Sequence, residues 1–407
     1  MRILFLTQTY PRFPEDIAGP FIREIARALS RGGDEVRVLV PHTEELADEW
    51  SDLDGVRVRS FRYAPKGFEV LGYGRSLQAD ERPRVLAAAV TPPYLRGARQ
   101  GVLRELEEWR PEVVQAHWIV PNAVALTVPG RWPKNAPPLT VGLHGSDVFM
   151  AEKPGVRWLA RRALRDTQVL TGCSPELVER VAALGFEGHR EVIPYGIDPG
   201  QFRPGVDESG WRERLGIPED AVLFLGVGRM ATKKGFQVLV PELASFLERF
   251  PTAWVVLAGG GDREAEFKAA CEGLRVCFPG AVERDVLPDL YRAADVFVLP
   301  AVHDRKGNVD GLPNVILEAL ASALPVIASG ISGIPLAVET GHNGYLTREG
   351  DGAEVVDRMA ALVEDAQLRR QLGEAGRARV VEQLTWDQVA ARYRHAYERA
   401  VEFNARS

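Results

Sequence analysis

VFVLPAVHDRKGNVDGLPNVILEALASALPVIA, residues 296–328, is the stretch on which the fold turns. Val296–Leu299 and Pro325–Ala328 are short, wholly apolar runs, too uniform for a half-exposed antiparallel strand and suited to a parallel strand covered on both faces. Between them Val315, Leu317, Ala319, Leu320 and Ala321 supply core-helix material, and Pro313 suits a first helical position, where a missing N–H costs nothing. The unit therefore reads strand, polar loop, helix, strand. The loop carries His303, Asp304, Arg305, Lys306, Asn308 and Asp310, and it leaves a strand at its carboxyl end and enters a helix at its amino end. Open α/β sheets bind ligands at that kind of edge.

Working outward, the same alternation fills most of the chain. Strands are expected at Ile3–Thr7, Glu35–Val40, Val56–Phe61, Val113–His117, Leu139–Leu143, Gln168–Thr171 and Glu191–Ile193. A second series follows at Val222–Val227, Trp254–Ala258, Arg275–Phe278, Val296–Leu299 and Pro325–Ala328, with a last short piece near Tyr345. Two series imply two doubly wound parallel sheets. The Pro- and Gly-dense run from Pro194 to Pro204 reads as the linker, which sets domains at 1–198 and 199–385. An amphipathic segment from about residue 386 to 407 has no strand after it and either caps a sheet or crosses back to the first domain. Residues 62–100, with Tyr63, Pro65, Phe68, Tyr73, Pro83, Pro92, Pro93 and Tyr94, give no clean strand or helix until Ala87–Val90 and read as an irregular insertion, either a binding loop or mobile segment or a surface excursion.

Composition narrows the class. Fifty basic and 56 acidic residues in 407 give a formal charge of −6, so no global field attracts nucleic acid. Cys173, Cys271 and Cys277 show neither metal-ligand spacing nor a disulfide framework; they read as packing residues in a reducing, cytoplasmic setting. Met1–Leu6 reads as a first strand rather than a leader, because polar Thr7-Gln8-Thr9 follows at once. No run approaches the roughly 18 apolar residues of a membrane span, so any membrane contact would be peripheral, at the inner face.

Five clusters carry candidate chemistry. After the first strand, Gly19 precedes the helix Ile22–Arg31, where a bare backbone and free N–H groups suit an anion; without G-x-G-x-x-G or a Walker lysine, a dinucleotide or P-loop reading is weak. After the eighth, Gly228-Arg229 and Lys233-Lys234-Gly235 place a guanidinium and an ammonium five residues apart, both able to reach one diphosphate unless they are solvated surface cations. Asp310 and Glu318 flank the Gly-Leu-Pro turn; Glu318 has apolar neighbours and needs hydrogen-bond donors such as ribose hydroxyls, while the pair could equally be a helix-start acid and a surface Glu. His117 and His144 each end a strand at the carboxyl edge of the first sheet, as core histidines or as a site, and their spacing does not suit a metal. Last, Arg157, Arg161, Arg162 and Arg165 beside Trp158 and Leu159 make a basic helix, either a solvated face or a seat for anionic lipid or an anionic acceptor.

Taken together, Gly228-Arg229 with Lys233-Lys234-Gly235, Asp310-x7-Glu318 with Ala319-Leu320-Ala321, Pro325-Val326-Ile327-Ala328, and Thr140–Asp147 with its His-Gly-Ser-Asp resemble the family 4 retaining glycosyltransferases. The resemblance spans nearly the whole chain and rests on the order of the motifs. It implies an α/β chain of the GT-B fold, two Rossmann-like doubly wound parallel-sheet domains facing a deep cleft, with the C-terminal helix crossing back. It also implies a hexosyltransferase using a UDP- or GDP-sugar donor and a glycan, lipid-linked or small-molecule acceptor, in cell-surface polysaccharide or glycolipid synthesis, with no metal and no other cofactor. By the same resemblance Arg229 and Lys234 hold the donor diphosphate, Gly19 lies near the phosphates, Glu318 binds the ribose, and Asp310 with the backbone of Gly311, Leu312, Pro313, Asn314 and Val315 positions the donor sugar. His144 stands beside the reacting sugar, and His117 and Asp147 line the acceptor side. Three positions depart from the pattern: Asp310 replaces the usual Glu, Tyr195-Gly196 replaces Asn-Gly, and Ser332-Gly333-Ile334-Pro335-Leu336 replaces Gly-Gly-Ile-Pro-Glu. Alternatives are an epimerase or phosphorylase of the same fold and a nucleotide-sugar-binding module whose catalysis has lapsed; a nicotinamide enzyme is disfavoured by the missing glycine fingerprint.

Overall fold

The computed structural model describes residues 1–13, 16, 18–46, 49–66, 68–72 and 84–406. The chain divides into two compact units, Met1–Ile193 with Trp386–Ser407, and Pro194–Thr385. The division falls a few residues before the boundary expected at 198, because Ile197 already donates its N–H to the Leu384 carbonyl (2.9 Å) in the second unit.

The first unit holds eight strands among the described residues: β1 (Arg2–Leu6), β2 (Glu35–Pro41), β3 (Ser51–Leu53), β4 (Val56–Phe61), β5 (Val113–His117), β6 (Leu139–Leu143), β7 (Val169–Gly172) and β8 (His189–Val192). Their order is β3-β4-β2-β1-β5-β6-β7-β8. All neighbours are parallel except β3, which folds antiparallel onto β4. β5, β6 and β7 are buried along their whole lengths, which is why they read as unbroken apolar runs. The order reverses between β1 and β5, so the loops after these strands flank the switch point. The C-terminal helix Trp386–Arg406 packs on the helix Pro20–Arg31, pinned by Arg394 to Asp34 (2.7 Å) and Arg31 to Asp387 (2.7 Å).

One expectation fails here. Part of the stretch at 62–100 forms the regular helix Arg84–Glu108, with Pro92 and Pro93 inside it; residues 73–83, Tyr73 and Pro83 among them, lie outside the described residues. Two prolines forgo two intrahelical hydrogen bonds. Burial of Val90, Tyr94, Ala98 and Val102, spaced four apart on one face, offsets that loss.

The second unit holds six strands: β9 (Val222–Val227), β10 (Ala253–Ala258), β11 (Val276–Gly280), β12 (Val296–Leu299), β13 (Val326–Ser329) and β14 (Gly344–Thr347). All are parallel, in the order β11-β10-β9-β12-β13-β14, and the switch point lies between β9 and β12. The opening stretch is therefore β12, its loop, the helix Asn314–Ala321 and β13. Pro313 caps that helix from outside, in an extended conformation, one position before the expected one.

Candidate active site

In the second unit the loops after β9 and β12 meet at the switch point. The contact is made by Gly235 (φ 78°): a Cβ there would lie 1.6 Å from the Pro300 carbonyl oxygen, so only glycine lets the two loops touch. Val302 then donates its N–H to the Lys233 carbonyl (3.1 Å). That register delivers both lysines to Asp310, with Lys233 Nζ 2.5 Å from Oδ1 and Lys234 Nζ 2.8 Å from Oδ2. Burial pushes the Asp310 carboxyl up, but the two ammonium groups outweigh it and hold the group at about 2. Arg229 is exposed beside Gly228 and has no ion-pair partner among the described residues.

On the other side of the turn, Glu318 is buried, with 9% of its surface exposed. Its Oε2 accepts a hydrogen bond from the Tyr291 hydroxyl at 2.7 Å. Burial raises the Glu318 carboxyl, opposed by that hydrogen bond and by the charges of Arg284 and Lys234. Between the carboxylates the helix start offers the N–H groups of Asn314 and Val315, which have no intrahelical acceptor. The buried Asn314 side-chain oxygen also lacks a partner. Gly311 accepts from the Gly333 N–H (2.7 Å), which ties the turn to the loop after β13. Asp310, Gly311, Leu312, Pro313, Asn314, Val315 and Glu318 thus form one continuous rim, with Lys234 joined to it through Asp310.

In the first unit Gly19 caps the helix Pro20–Arg31 in the left-handed conformation (φ 60°), and a Cβ there would stand 2.8 Å from the Thr9 carbonyl oxygen. His117, at the end of β5, and His144, just after β6, come together: His117 Nδ1 lies 3.0 Å from His144 Nε2. Gly142 makes room for them, since its Cβ would stand 3.2 Å from both of those nitrogens. His117 is fully buried and His144 half-buried, with Phe21 against its ring at 4.7 Å. Burial lowers both, His144 to about 3 and His117 well below the usual imidazole range, so both are neutral near pH 7.

Asp147, expected on the acceptor side, is buried. It is 2% exposed, and its carboxylate accepts backbone N–H bonds from Ile119, His144 and Gly145, each at 3.1 Å. Its work is to fix the two loops that present the histidines, and burial pushes its carboxyl up to about 6 against those bonds. Lys233, Arg284 and Tyr291 are the residues sequence reasoning left out. Lys233 stood in the basic motif with its charge in plain sight; Tyr291, on the helix Leu287–Ala293 and 27 residues from Glu318, has no local signal.

The glycosyl transferase 4-like domain family matches residues 18–196 and the glycosyl transferases group 1 family matches residues 207–379, so together they take in both sets of loops. The chain is 31% identical over 276 residues, 66% of its length and 71% of the relative, to the GDP-mannose-dependent alpha-(1-6)-phosphatidylinositol monomannoside mannosyltransferase of Mycobacterium tuberculosis. It is 29% identical over 404 residues, 93% of its length and 91% of the relative, to a D-inositol 3-phosphate glycosyltransferase of Xylanimonas cellulosilytica. Sucrose-phosphate synthase from Thermosynechococcus elongatus superposes with a TM-score of 0.75 over 100% of both chains at 20% identity, which shows a shared GT-B fold. With both of its halves matched in chain order, the chain belongs to the group 1, family 4 glycosyltransferases.

Proposed function

We propose that the chain transfers a hexose from a nucleoside diphosphate sugar, with retention at the anomeric carbon and without a metal, to a lipid-linked or glycan acceptor in cell-surface glycolipid or polysaccharide synthesis. The observation that carries the donor half is the pair Lys233 and Lys234 on Asp310, eight residues before buried Glu318 and across the Gly-Leu-Pro turn from it. Arg229, Lys234 and the N–H groups at Asn314 and Val315 suit the diphosphate; Glu318 suits the ribose; Asp310 suits a sugar hydroxyl. Gly19 offers a further open helix start in the first unit. In the reaction the anomeric C–O bond to phosphate breaks and a C–O bond to the acceptor forms on the same face. The acceptor proton passes to the leaving phosphate oxygen. His144, neutral, is suited to a hydrogen bond with a sugar hydroxyl rather than to a charge, and His117 supports it from behind. Most of the catalysis is then positioning and stabilisation of charge on the leaving diphosphate.

The M. tuberculosis relative's name makes GDP-mannose the first donor to try and a phosphatidylinositol mannoside the first acceptor class. Membrane contact has its own support. On the helix Pro154–Leu164 and its flanks, Lys153, Arg157, Arg161 and Arg165 recur every fourth residue, all exposed, beside Trp158 at 67% exposure. No helix among the described residues is long and apolar enough to cross a membrane. A surface-lying helix at the inner face would suit such a row. The test is a panel of UDP- and GDP-sugars with lipid-linked and free glycan acceptors, run with and without EDTA and read by mass spectrometry and by NMR of the new anomeric centre. Nucleotide release that needs an acceptor, with the donor's anomeric configuration kept, supports the reading. Inversion, or activity abolished by EDTA, overturns the mechanism.

A further inference from the structure

The group that binds ribose must present a carboxylate oxygen in a fixed direction, and Glu318 cannot do this alone. Its backbone neighbours Leu317 and Ala319 are fully buried, and a carboxylate without a donor in such surroundings is driven toward its neutral form. The only side-chain donor that reaches it among the described residues is the Tyr291 hydroxyl, 2.7 Å from Oε2. Tyr291 is itself fully buried on the helix Leu287–Ala293. Its ring is wedged between Phe297 of β12, near-parallel at 5.8 Å, and Phe202, edge-on at 5.6 Å. Two aromatic walls leave the phenol one orientation, and that orientation aims its O–H at Glu318, with the Val315 carbonyl farther off at 3.4 Å.

We infer that Tyr291 is the positioning residue of the donor site: by holding Oε2 of Glu318 it turns Oε1 toward the ribose hydroxyls. The inference rests on the reading of Glu318 as the ribose ligand. One oxygen is engaged from inside the protein, so the other is the oxygen available to a hydroxyl pair; no described residue donates to it. Tyr291 touches neither sugar nor phosphate. It acts through Glu318, and because its hydrogen bond favours the charged carboxylate, it also keeps that carboxylate ionised under conditions where burial would otherwise protonate it.

Tyr291→Phe keeps the ring, the volume and both aromatic contacts, so the fold is expected to survive with its melting temperature changed by no more than a few degrees. Binding of GDP and UDP by titration calorimetry is expected to weaken about tenfold at pH 7. The acid limb of the affinity profile is expected to move up by about one pH unit, the scale of a charged hydrogen bond. With 2′,3′-dideoxy nucleoside diphosphates, or in a Glu318→Ala background, Tyr291→Phe is expected to change affinity less than twofold. Unchanged affinity and pH profile in Tyr291→Phe, while Glu318→Ala still weakens binding by more than about tenfold, would sink the positioning role and leave the ribose reading standing. A loss that persists with the dideoxy nucleotide or in the Glu318→Ala background would show that Tyr291 acts by packing instead. Normal binding by Glu318→Ala would bring down the ribose reading and the inference with it.

Discussion

Replacing Asp310 by Asn is the sharpest test of how the donor half works, because Asp310 occupies both lysines at once. In the protein as it stands, its carboxyl is held at about 2 against an ordinary 3.8. A gap of 3.8 − 2 = 1.8 units corresponds to about 2.4 kcal/mol, the net of the two ion pairs against burial. Because the folded value is depressed, this stabilisation is present above pH 3.8 and lost as pH falls toward 2. The Asp310→Asn change keeps the shape without the charge, so at pH 7 the variant should melt roughly 2–10 °C lower, with the gap closing below pH 4. Affinity should move the other way. Removing a unit negative charge beside a bound diphosphate relieves roughly 0.7–2.8 kcal/mol per phosphate charge, taking a separation of ~6 Å and an effective dielectric between ~80 and ~20, so GDP or UDP should bind at least about threefold tighter. Transfer should fall, because the sugar loses its acceptor. The assays are calorimetry from pH 3 to 7, nucleotide titration, and turnover with the active donor. Nucleotide affinity that is unchanged or weaker in the Asn variant would refute the idea that these lysines serve the diphosphate.

Three further variants probe the scaffold and the histidines. His144→Ala should lower transfer by at least tenfold while nucleotide affinity stays within twofold; because the buried imidazole is held to about 3, the wild-type rate profile should show no limb near pH 6.5, and a limb there that vanishes in the variant would contradict the neutral assignment. Gly235→Ala drives a Cβ into the Pro300 carbonyl at positive φ and should cost roughly 3 kcal/mol or more, seen as a large drop in the melting temperature of the second unit. For Asp147 the sign reverses that of Asp310: its folded value of about 6 lies above 3.8, so stability is greatest below pH 3.8 and up to about 3 kcal/mol is lost as pH rises through 6. Asp147→Asn keeps an acceptor oxygen and should flatten the melting curve between pH 4 and 6.5, whereas an unchanged slope would show that the carboxyl is not under strain.

How much of this was legible in the sequence depended on range. Parallel strands such as β5, β9 and β12 matched expectation residue for residue, because a strand covered on both faces must be apolar throughout. β3 escaped notice because three residues, Ser51-Asp52-Leu53, carry no periodicity. Its signal was the Asp54-Gly55 pair, both at positive φ, a hairpin turn between β3 and β4. The helix Arg84–Glu108 was hidden by the opposite error, two prolines weighed above a stripe recurring every fourth residue from Val90 to Val102. In the site, motif residues were readable because each is local: Gly228-Arg229, Lys233-Lys234, Asp310, Glu318. Their partnerships were not. Asp310 meets Lys233 only because Gly235 lets a carbonyl from β12's end approach, and Tyr291 meets Glu318 from a separate helix. Asp147 shows the reverse case, a motif position whose carboxylate is spent on three backbone N–H groups.

Those partnerships have a consequence for catalysis. Lys233, Lys234 and Arg284 act on the two carboxylates Asp310 and Glu318, for a net 3 − 2 = +1 in that cluster, to which exposed Arg229 at the end of β9 adds its charge. A nucleotide sugar carries about −2 on its diphosphate and the released nucleoside diphosphate about −3, so the negative charge grows as the anomeric bond breaks. Fixed cations that favour the larger charge stabilise the transition state more than the bound donor, which is the condition for raising the rate rather than only the affinity. The same inequality makes the product bind well. A nucleoside diphosphate should therefore bind at least tenfold tighter than the matching monophosphate, with a preference that shrinks as salt rises and collapses in Arg229→Ala. Equal affinity for mono- and diphosphate, measured by titration at two salt concentrations, would mean that these cations do not face the leaving group, and the electrostatic account of catalysis would fail with it.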